Sequence, residues 1–262
     1  MTRPLLQISG LSVRFGGLTA VDRLDLTVEA GAIHGLIGPN GAGKTTAFNL
    51  IAGAVRRSAG EIRLDGAPVE GLPPYARVRR GLARTFQNIR LFGEMTALEN
   101  ILAGMHTRLK GSLFEILLRP DKTRRVERDA VTEARALLDF VGLAAVARRR
   151  AGELSYGDQR RVEIARALAA APKLLLLDEP AAGMNPAETR ALSELLQRVK
   201  ARGVTVLLVE HDMGLVMRLC DKITVLNFGR KIAEGAPREI RADRQVIEAY
   251  LGAESAHALA SP

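Results

Sequence analysis

The segment Gly38-Pro-Asn-Gly-Ala-Gly-Lys-Thr-Thr46 constrains this chain more than any other stretch of it. It follows a short apolar run, Ile33-His-Gly-Leu-Ile, and opens a helical pattern through Thr46, Asn49, Leu50 and Ile51 that ends near Gly53. A G-x-x-x-x-G-K-[ST] spacing between a strand and a helix is that of a phosphate-binding loop. Glycines let backbone N–H groups close around phosphate oxygens, the helix N-terminus adds a favourable dipole, and a lysine bridges the β- and γ-phosphates. Lys44 takes the lysine position, and the Thr45 hydroxyl is the group that would hold Mg²⁺.

The surrounding pattern is that of an α/β fold. Leu5-Leu-Gln-Ile-Ser, Leu11-Ser-Val-Arg-Phe and Leu24-Asp-Leu-Thr-Val-Glu alternate apolar and polar residues, with turns at Gly16-Gly17 and Ala30-Gly31, and Glu61-Ile-Arg-Leu-Asp-Gly adds a further strand. From Ala76 to about Ala151 helical periodicity and charge take over, with Gly142 and Gly152 as helix stops and Arg119-Pro-Asp-Lys-Thr-Arg-Arg as an exposed loop. Strands return at Leu174-Leu-Leu-Leu-Asp, Val204-Thr-Val-Leu-Leu-Val-Glu and Ile223-Thr-Val-Leu, joined by helices such as Glu188 to Ala201. Apolar strands without alternation, joined by helices, imply a mostly parallel sheet covered on both faces. A last helix is expected from Asp243 to Leu251, followed by a frayed end from Gly252 to Pro262.

Composition removes several classes. In 262 residues, 47% apolar content is enough to collapse around a core, so disorder is excluded for most of the chain. Cys220 is the single cysteine, which rules out a disulfide scaffold and points to a reducing compartment. No apolar run approaches the roughly 18 residues of a membrane span, and the first residues do not read as a signal peptide, so the chain is expected to be soluble and intracellular. The formal charge of +9 is local: Arg77 to Arg166 holds 19 Lys+Arg against 11 Asp+Glu, a net +8. Such a cluster reads either as a solvated helical surface or as a face for an anionic partner.

A magnesium-bound nucleotide needs a second anchor, normally a carboxylate at the end of a neighbouring apolar strand. Asp178 in Leu174-Leu-Leu-Leu-Asp-Glu-Pro supplies it, and Glu179 follows where it can orient and deprotonate a water.

At this point the chain resembles the ATP-binding subunits of ABC transporters. Leu154-Ser-Tyr-Gly-Asp-Gln-Arg-Arg, 24 residues before Asp178, is similar to the family signature; Gln87 in Arg84-Thr-Phe-Gln matches its glutamine loop, and His211 in Glu210-His-Asp its switch histidine. The resemblance implies a P-loop NTPase (RecA-like) core with an antiparallel β subdomain and an inserted helical subdomain. It divides the chain into 1–88 and 160–235 as the core, 89–159 as the helical signature subdomain, and 236–262 as a C-terminal helix and tail. It also implies an ATPase with ATP and Mg²⁺ as cofactors. Glu179, His211, Gln87 and Lys44 would be the catalytic set, and Thr45, Gln87 and Asp178 the metal set. Phe15, Val21, Gly38, Asn40, Gly41, Ala42, Gly43, Lys44, Thr45 and Thr46 would bind nucleotide, with Phe15 stacking on adenine. Ser155 and Gly157 would contact the γ-phosphate of ATP held by an opposite subunit, implying a head-to-tail dimer with itself or a related chain.

Tyr156 stands where the family usually has Gly, and Asn185 where many relatives have Asp. With Arg14-Phe-Gly-Gly-Leu-Thr-Ala-Val21, Ala181-Ala-Gly-Met-Asn-Pro and Tyr250-Leu-Gly, these departures make the chain similar to the ATPases of branched-chain amino-acid importers, as does the insertion His106 to Arg128. The resemblance implies two membrane permease subunits, indirectly a periplasmic binding protein, no nucleic acid, and a place on the cytoplasmic face of the inner membrane. Urea, another amide, or lipopolysaccharide export remain as alternative cargoes. A soluble ABC ATPase acting on DNA or the ribosome is disfavoured by the absence of Trp and only 4% aromatic residues.

Overall fold

Four consecutive leucines would suit a helix by propensity, yet Leu174–Asp178 is a strand (β7), because Pro172 and Pro180 leave it too short to be anything else. All five of its residues are buried. The computed structural model describes residues 3–106, 108 and 120–259. In chain order its elements begin with β1 (Pro4–Phe15), β2 (Leu18–Glu29), β3 (Ile33–Ile37), α1 (Lys44–Ala52), β4 (Ala59–Leu64), β5 (Ala67–Pro68), α2 (Pro74–Arg79) and β6 (Leu82–Arg84). The helices α3 (Ala97–Met105), α4 (Pro120–Phe140) and α5 (Tyr156–Leu168) precede β7. Then come α6 (Pro186–Ala201), β8 (Thr205–Val209), α7 (Met213–Leu219), β9 (Lys222–Asn227), β10 (Arg230–Gly235), α8 (Pro237–Ala242) and α9 (Arg244–Leu259).

Two sheets result. One is antiparallel in the order β2-β1-β4-β5; the other runs β10-β9-β3-β8-β7-β6, parallel throughout except for the β10–β9 pair. Side chains alternate across the larger sheet, and both faces are apolar. Leu174, Leu176, Leu207 and Val209 join Phe48 and Ile51 of α1 and the inner face of the antiparallel sheet. Leu175, Leu177, Val206 and Leu208 join the helices of the other side, including Val162, Leu192 and Leu196. Helices α3, α4 and α5 form a layer held by Ala97, Ile101, Ala134 and Leu138. A Thr96–Glu99 capping box starts α3, with Thr96 Oγ1 accepting from the Glu99 N–H at 3.2 Å and Glu99 Oε2 from the Thr96 N–H at 2.7 Å. No helix among the described residues is long and apolar enough to cross a membrane.

Several expectations need correction. The two N-terminal strands are one, β1, carried through Gly10 with register shifts on both partners. Strands β6 and β10 are additional; β6 is only three residues long, and β10 is an antiparallel edge whose charged residues hide its pattern. The stretch expected to be a loop is helical from Pro120 onward, since proline is tolerated in a first helical turn. Gly142, at φ +75°, does follow the end of α4, whereas Gly152 sits inside a 3₁₀ turn, Ala151–Glu153. The C-terminal part is two helices, and α9 runs to Leu259 rather than fraying at Gly252. Most of the inserted segment, Thr107 and residues 109–119, lies outside the described residues.

The basic excess is not a single exposed face. Arg77 is buried and donates to the carbonyls of Leu50, Ile51 and Leu72, closing the end of α1; Arg160 is fully buried; Arg108 and Arg150 pair with Glu133 and Glu94.

His34, in the middle of β3, is buried and hydrogen-bonded through Nε2 to Thr224 Oγ1 at 2.8 Å. Burial pulls its pKa down from 6.5 to about 4, with Glu234 opposing that shift. An unfolded chain protonates His34 near 6.5 while the folded chain does not until about 4, so native stability is full above 6.5 and declines as pH falls toward 4. The loss attributable to His34 is about 3 kcal/mol. Urea unfolding of wild type and His34→Gln at pH 7 and pH 4.5 is expected to show the steeper acid loss in wild type; equal pH dependence would contradict this.

Candidate nucleotide site

The register of the parallel sheet brings three loops to one edge. Leu36 of β3 and Asp178 of β7 both pair with Val209 of β8, so Gly38, Glu179 and Glu210 emerge side by side at the C-terminal ends of their strands. That edge is where ligands bind in open parallel sheets.

The loop between β3 and α1 folds as the glycine spacing predicts. Gly38 has φ +148°, and a Cβ there would fall 2.1 Å from the Leu226 carbonyl oxygen; Gly43, at φ +98°, would place one 2.5 Å from the Ala20 oxygen. Only glycine fits either position. Lys44 is buried, and its Nζ donates to the loop's own carbonyls, Gly38 O at 2.7 Å and Pro39 O at 2.9 Å. Burial lowers its pKa, and the nearby carboxylates of Glu179 and Asp178 work against that shift. The loop borders a cleft of about 430 Å³ lined by Asn40 to Thr46, by Thr19 and Ala20 of the β1–β2 hairpin side, and by Glu179, His211 and Phe228.

Asp178 is buried at the end of β7, where its Oδ2 accepts from Arg84 at 2.9 Å; the same guanidinium donates to Asn49 Oδ1 at 2.6 Å. The sequence pattern gives Arg84 no role of its own; a cation at the end of a strand, three residues before Gln87, is the signal that points to it. Glu179 has a left-handed backbone, φ +47°, uncommon for a residue with a side chain, and its N–H donates to Val209 O at 2.9 Å. Its two carboxylate oxygens are both engaged. Oε2 accepts from Gln87 Nε2 at 2.8 Å and Oε1 from His211 Nε2 at 2.5 Å, which puts the imidazole proton on Nε2. Gln87, Glu179 and His211, 92 and 32 residues apart in sequence from Glu179, thus form one hydrogen-bonded group.

Glu210 organises the neighbouring backbone. Buried, it accepts from the N–H groups of Ala181 at 2.7 Å and His211 at 3.0 Å, and burial raises its pKa. In sequence Glu210 stands out only as the neighbour of His211; a carboxylate closing an apolar strand is its signal.

The remaining expected residues are placed less directly. Phe15 is 51% exposed in the β1–β2 hairpin and does not line the cleft, whereas Phe228, 84% exposed in the β9–β10 turn, does. Val21 is fully buried in the core, and its neighbour Ala20 faces the cleft instead. Ser155 caps α5 by accepting from the Asp158 N–H at 3.2 Å, Gly157 is buried against Glu188, and neither lines this chain's own cleft. Asn185 caps α6, its Oδ1 accepting from Ala187 N at 2.9 Å and Glu188 N at 3.0 Å, a role that asparagine and aspartate share.

Left-handed glycines, a near-buried ammonium, an exposed threonine hydroxyl and a strand-end carboxylate fit a magnesium-bound polyphosphate. The family described as ABC transporter matches residues 21–182, and that described as branched-chain amino acid ATP-binding cassette transporter matches residues 230–256. The high-affinity branched-chain amino acid transport ATP-binding protein BraF of Pseudomonas aeruginosa is 49% identical over 253 residues, 96% of this chain and 99% of BraF. LivG of Escherichia coli, which carries the same description, is 48% identical over the same shares. The crystal structure of the ADP conformation of MJ1267, an ATP-binding cassette of an ABC transporter, superposes with a TM-score of 0.83 at 32% identity, covering 96% of this chain and all of that one. The chain belongs to the ABC transporter family, among the ATP-binding proteins of the branched-chain amino acid type.

Proposed function

We propose that this chain hydrolyses ATP to energise the import of branched-chain amino acids through separate membrane permeases. The observation that carries the hydrolytic reading is the hydrogen-bonded group Gln87, Glu179 and His211, of which Glu179 and His211 line the cleft beside Lys44. The loop N–H groups from Gly41 to Thr46 and the Lys44 ammonium hold the triphosphate, and Thr45, Asp178 and Gln87 hold Mg²⁺. The metal supplies charge neutralisation of the phosphates. Glu179 orients a water and takes its proton as general base; His211 holds the γ-phosphate and the water against it. Each Glu179 oxygen accepts one hydrogen bond and keeps a second lone pair, so the carboxylate can take that proton while Gln87 and His211 hold its orientation. Arg84 binds Asp178 through Oδ2, which leaves Oδ1 as the oxygen that would serve the cation.

Ser155 and Gly157 stand outside this chain's own cleft, which favours a head-to-tail dimer in which each signature segment closes the partner's ATP, with itself or a related chain. In this reading residues 1–88 and 160–235 form the catalytic core, 89–159 the helical signature subdomain that meets the permeases, and 236–262 the C-terminal part. The complex sits on the cytoplasmic face of the inner membrane and receives cargo from a periplasmic binding protein, with no nucleic acid involved. The cargo reading rests on the names of the relatives at 49% and 48% identity and on the match over residues 230–256.

Glu179→Gln is expected to bind ATP and dimerise while turnover falls about 100-fold or more; near-wild-type phosphate release would overturn the general-base assignment. Lys44→Ala is expected to weaken ATP binding at least about tenfold by titration calorimetry, and an unchanged Kd would contradict its phosphate role. Cells lacking this chain should lose high-affinity uptake of radiolabelled leucine. Full uptake would redirect the cargo assignment and leave the ATPase reading intact.

A further inference from the structure

The mechanism leaves unused the largest fully buried side chain among the described residues, Arg160. It lies on α5, one turn after Tyr156, and its guanidinium reaches out of the helix into the loop that carries Gln87. Nη1 donates to Phe86 O at 2.7 Å and to Glu163 Oε2 at 2.8 Å; Nη2 donates to Gln87 O at 2.7 Å and to the Tyr156 hydroxyl at 3.0 Å. Glu163, 1% exposed, extends the contact, its Oε1 receiving the N–H groups of Phe86 and Arg90 through long hydrogen bonds of 3.5 and 3.4 Å. The glutamine loop is therefore held at both carbonyls and amides by one ion pair from the signature helix.

Burying two charges is costly unless geometry and further hydrogen bonds compensate, and replacing such a pair by apolar side chains of similar volume is often neutral or stabilising. A stability role alone does not call for this pair, whereas backbone groups of one specific loop account for its bonds to other residues apart from that to the Tyr156 hydroxyl. Tyr156 gives the arrangement its second end. The residue is 43% exposed, its ring packs beside Gly183 in the loop after Glu179, and it occupies the segment expected to face ATP held by the opposite subunit.

We propose that Arg160, supported by Glu163, is the positioning residue for Gln87, and that Tyr156 ties this placement to the signature surface covering the partner's nucleotide. The proposal rests on the hydrolytic reading above for the role of Gln87. It assigns a purpose to the tyrosine that replaces glycine in the signature: its hydroxyl accepts a hydrogen bond from the same guanidinium that grips the Gln87 carbonyl. Movement of the signature surface on dimer closure thereby reaches the catalytic glutamine of its own chain through two side chains.

Arg160→Met combined with Glu163→Met removes the pair without leaving an unpaired charge, and Tyr156→Phe removes only the hydroxyl. In the nucleotide-free chain, hydrogen exchange at the Phe86 and Arg90 amides should accelerate about tenfold in the double variant while amides of β7 keep their protection. In the assembled transporter the double variant should lose about tenfold in kcat with KM for ATP within about twofold, and no further loss should appear when Gln87 is already Ala. Tyr156→Phe should give a smaller kcat loss, also absent in the Gln87→Ala background, and this arm decides if the double variant does not fold. Unchanged exchange at residues 86 and 90, or losses that add in full to Gln87→Ala, would overturn the proposal. Wild-type turnover of Gln87→Ala by itself would instead overturn the assignment of Gln87 to the hydrolytic group, with the exchange result still deciding whether Arg160 holds the loop.

Discussion

A strand buried on both faces has no solvent side to orient it, so backbone register decides where its loops emerge. The larger sheet depends on this constraint. β3, β8 and β7 run parallel, with Leu36, Val209 and Asp178 in adjacent positions, and the chain therefore delivers the glycine loop, Glu179 and Glu210-His211 to one edge. A one-residue slip of β7 would exchange its Leu174/Leu176 and Leu175/Leu177 faces and displace Glu179 from the cleft. Both faces being apolar, such a slip keeps burial and loses packing complementarity, which makes the flanking helices part of what fixes the site.

Charged groups inside this frame share a habit: their partners are backbone atoms of the functional loops. Lys44 holds the Gly38 and Pro39 carbonyls, Glu210 the amides of Ala181 and His211, and Arg160 the carbonyls of Phe86 and Gln87. Arg160 adds the side chains of Glu163 and Tyr156, and Arg84 holds only side chains, those of Asp178 and Asn49. Each buried charge thus fixes a segment that would otherwise be free to move, and the left-handed backbone of Glu179 persists because the Val209 carbonyl and its two side-chain partners over-determine it.

The glycine loop was legible from sequence because its chemistry is local: Gly38 and Gly43 answer to close backbone contacts that no other residue type tolerates. Asp178 and Glu179 were legible as the end of an apolar run. The grouping of Gln87 and His211 with Glu179 came only through resemblance, since nothing in the residues themselves announces a contact across 92 positions. Phe228 escaped notice because it sits in a turn before an edge strand whose Arg, Lys and Glu residues mask its periodicity. Arg160 was invisible for a different reason: a basic run in a helix reads as solvated surface, and only the fold reveals that this arginine points inward. Net charge misled in the same way, since part of the basic excess closes helix ends and holds loops.

The central claim is that the terminal phosphate is attacked beside the hydrogen-bonded group of Gln87, Glu179 and His211. A crystal structure of the Glu179→Gln variant with ATP and Mg²⁺ tests it most directly. The account expects the triphosphate against the backbone from Gly41 to Thr46, with the γ-phosphate facing Gln87 and His211 and a second chain's Ser155 closing over it. A γ-phosphate directed away from these side chains, with the nucleotide otherwise bound, would contradict it.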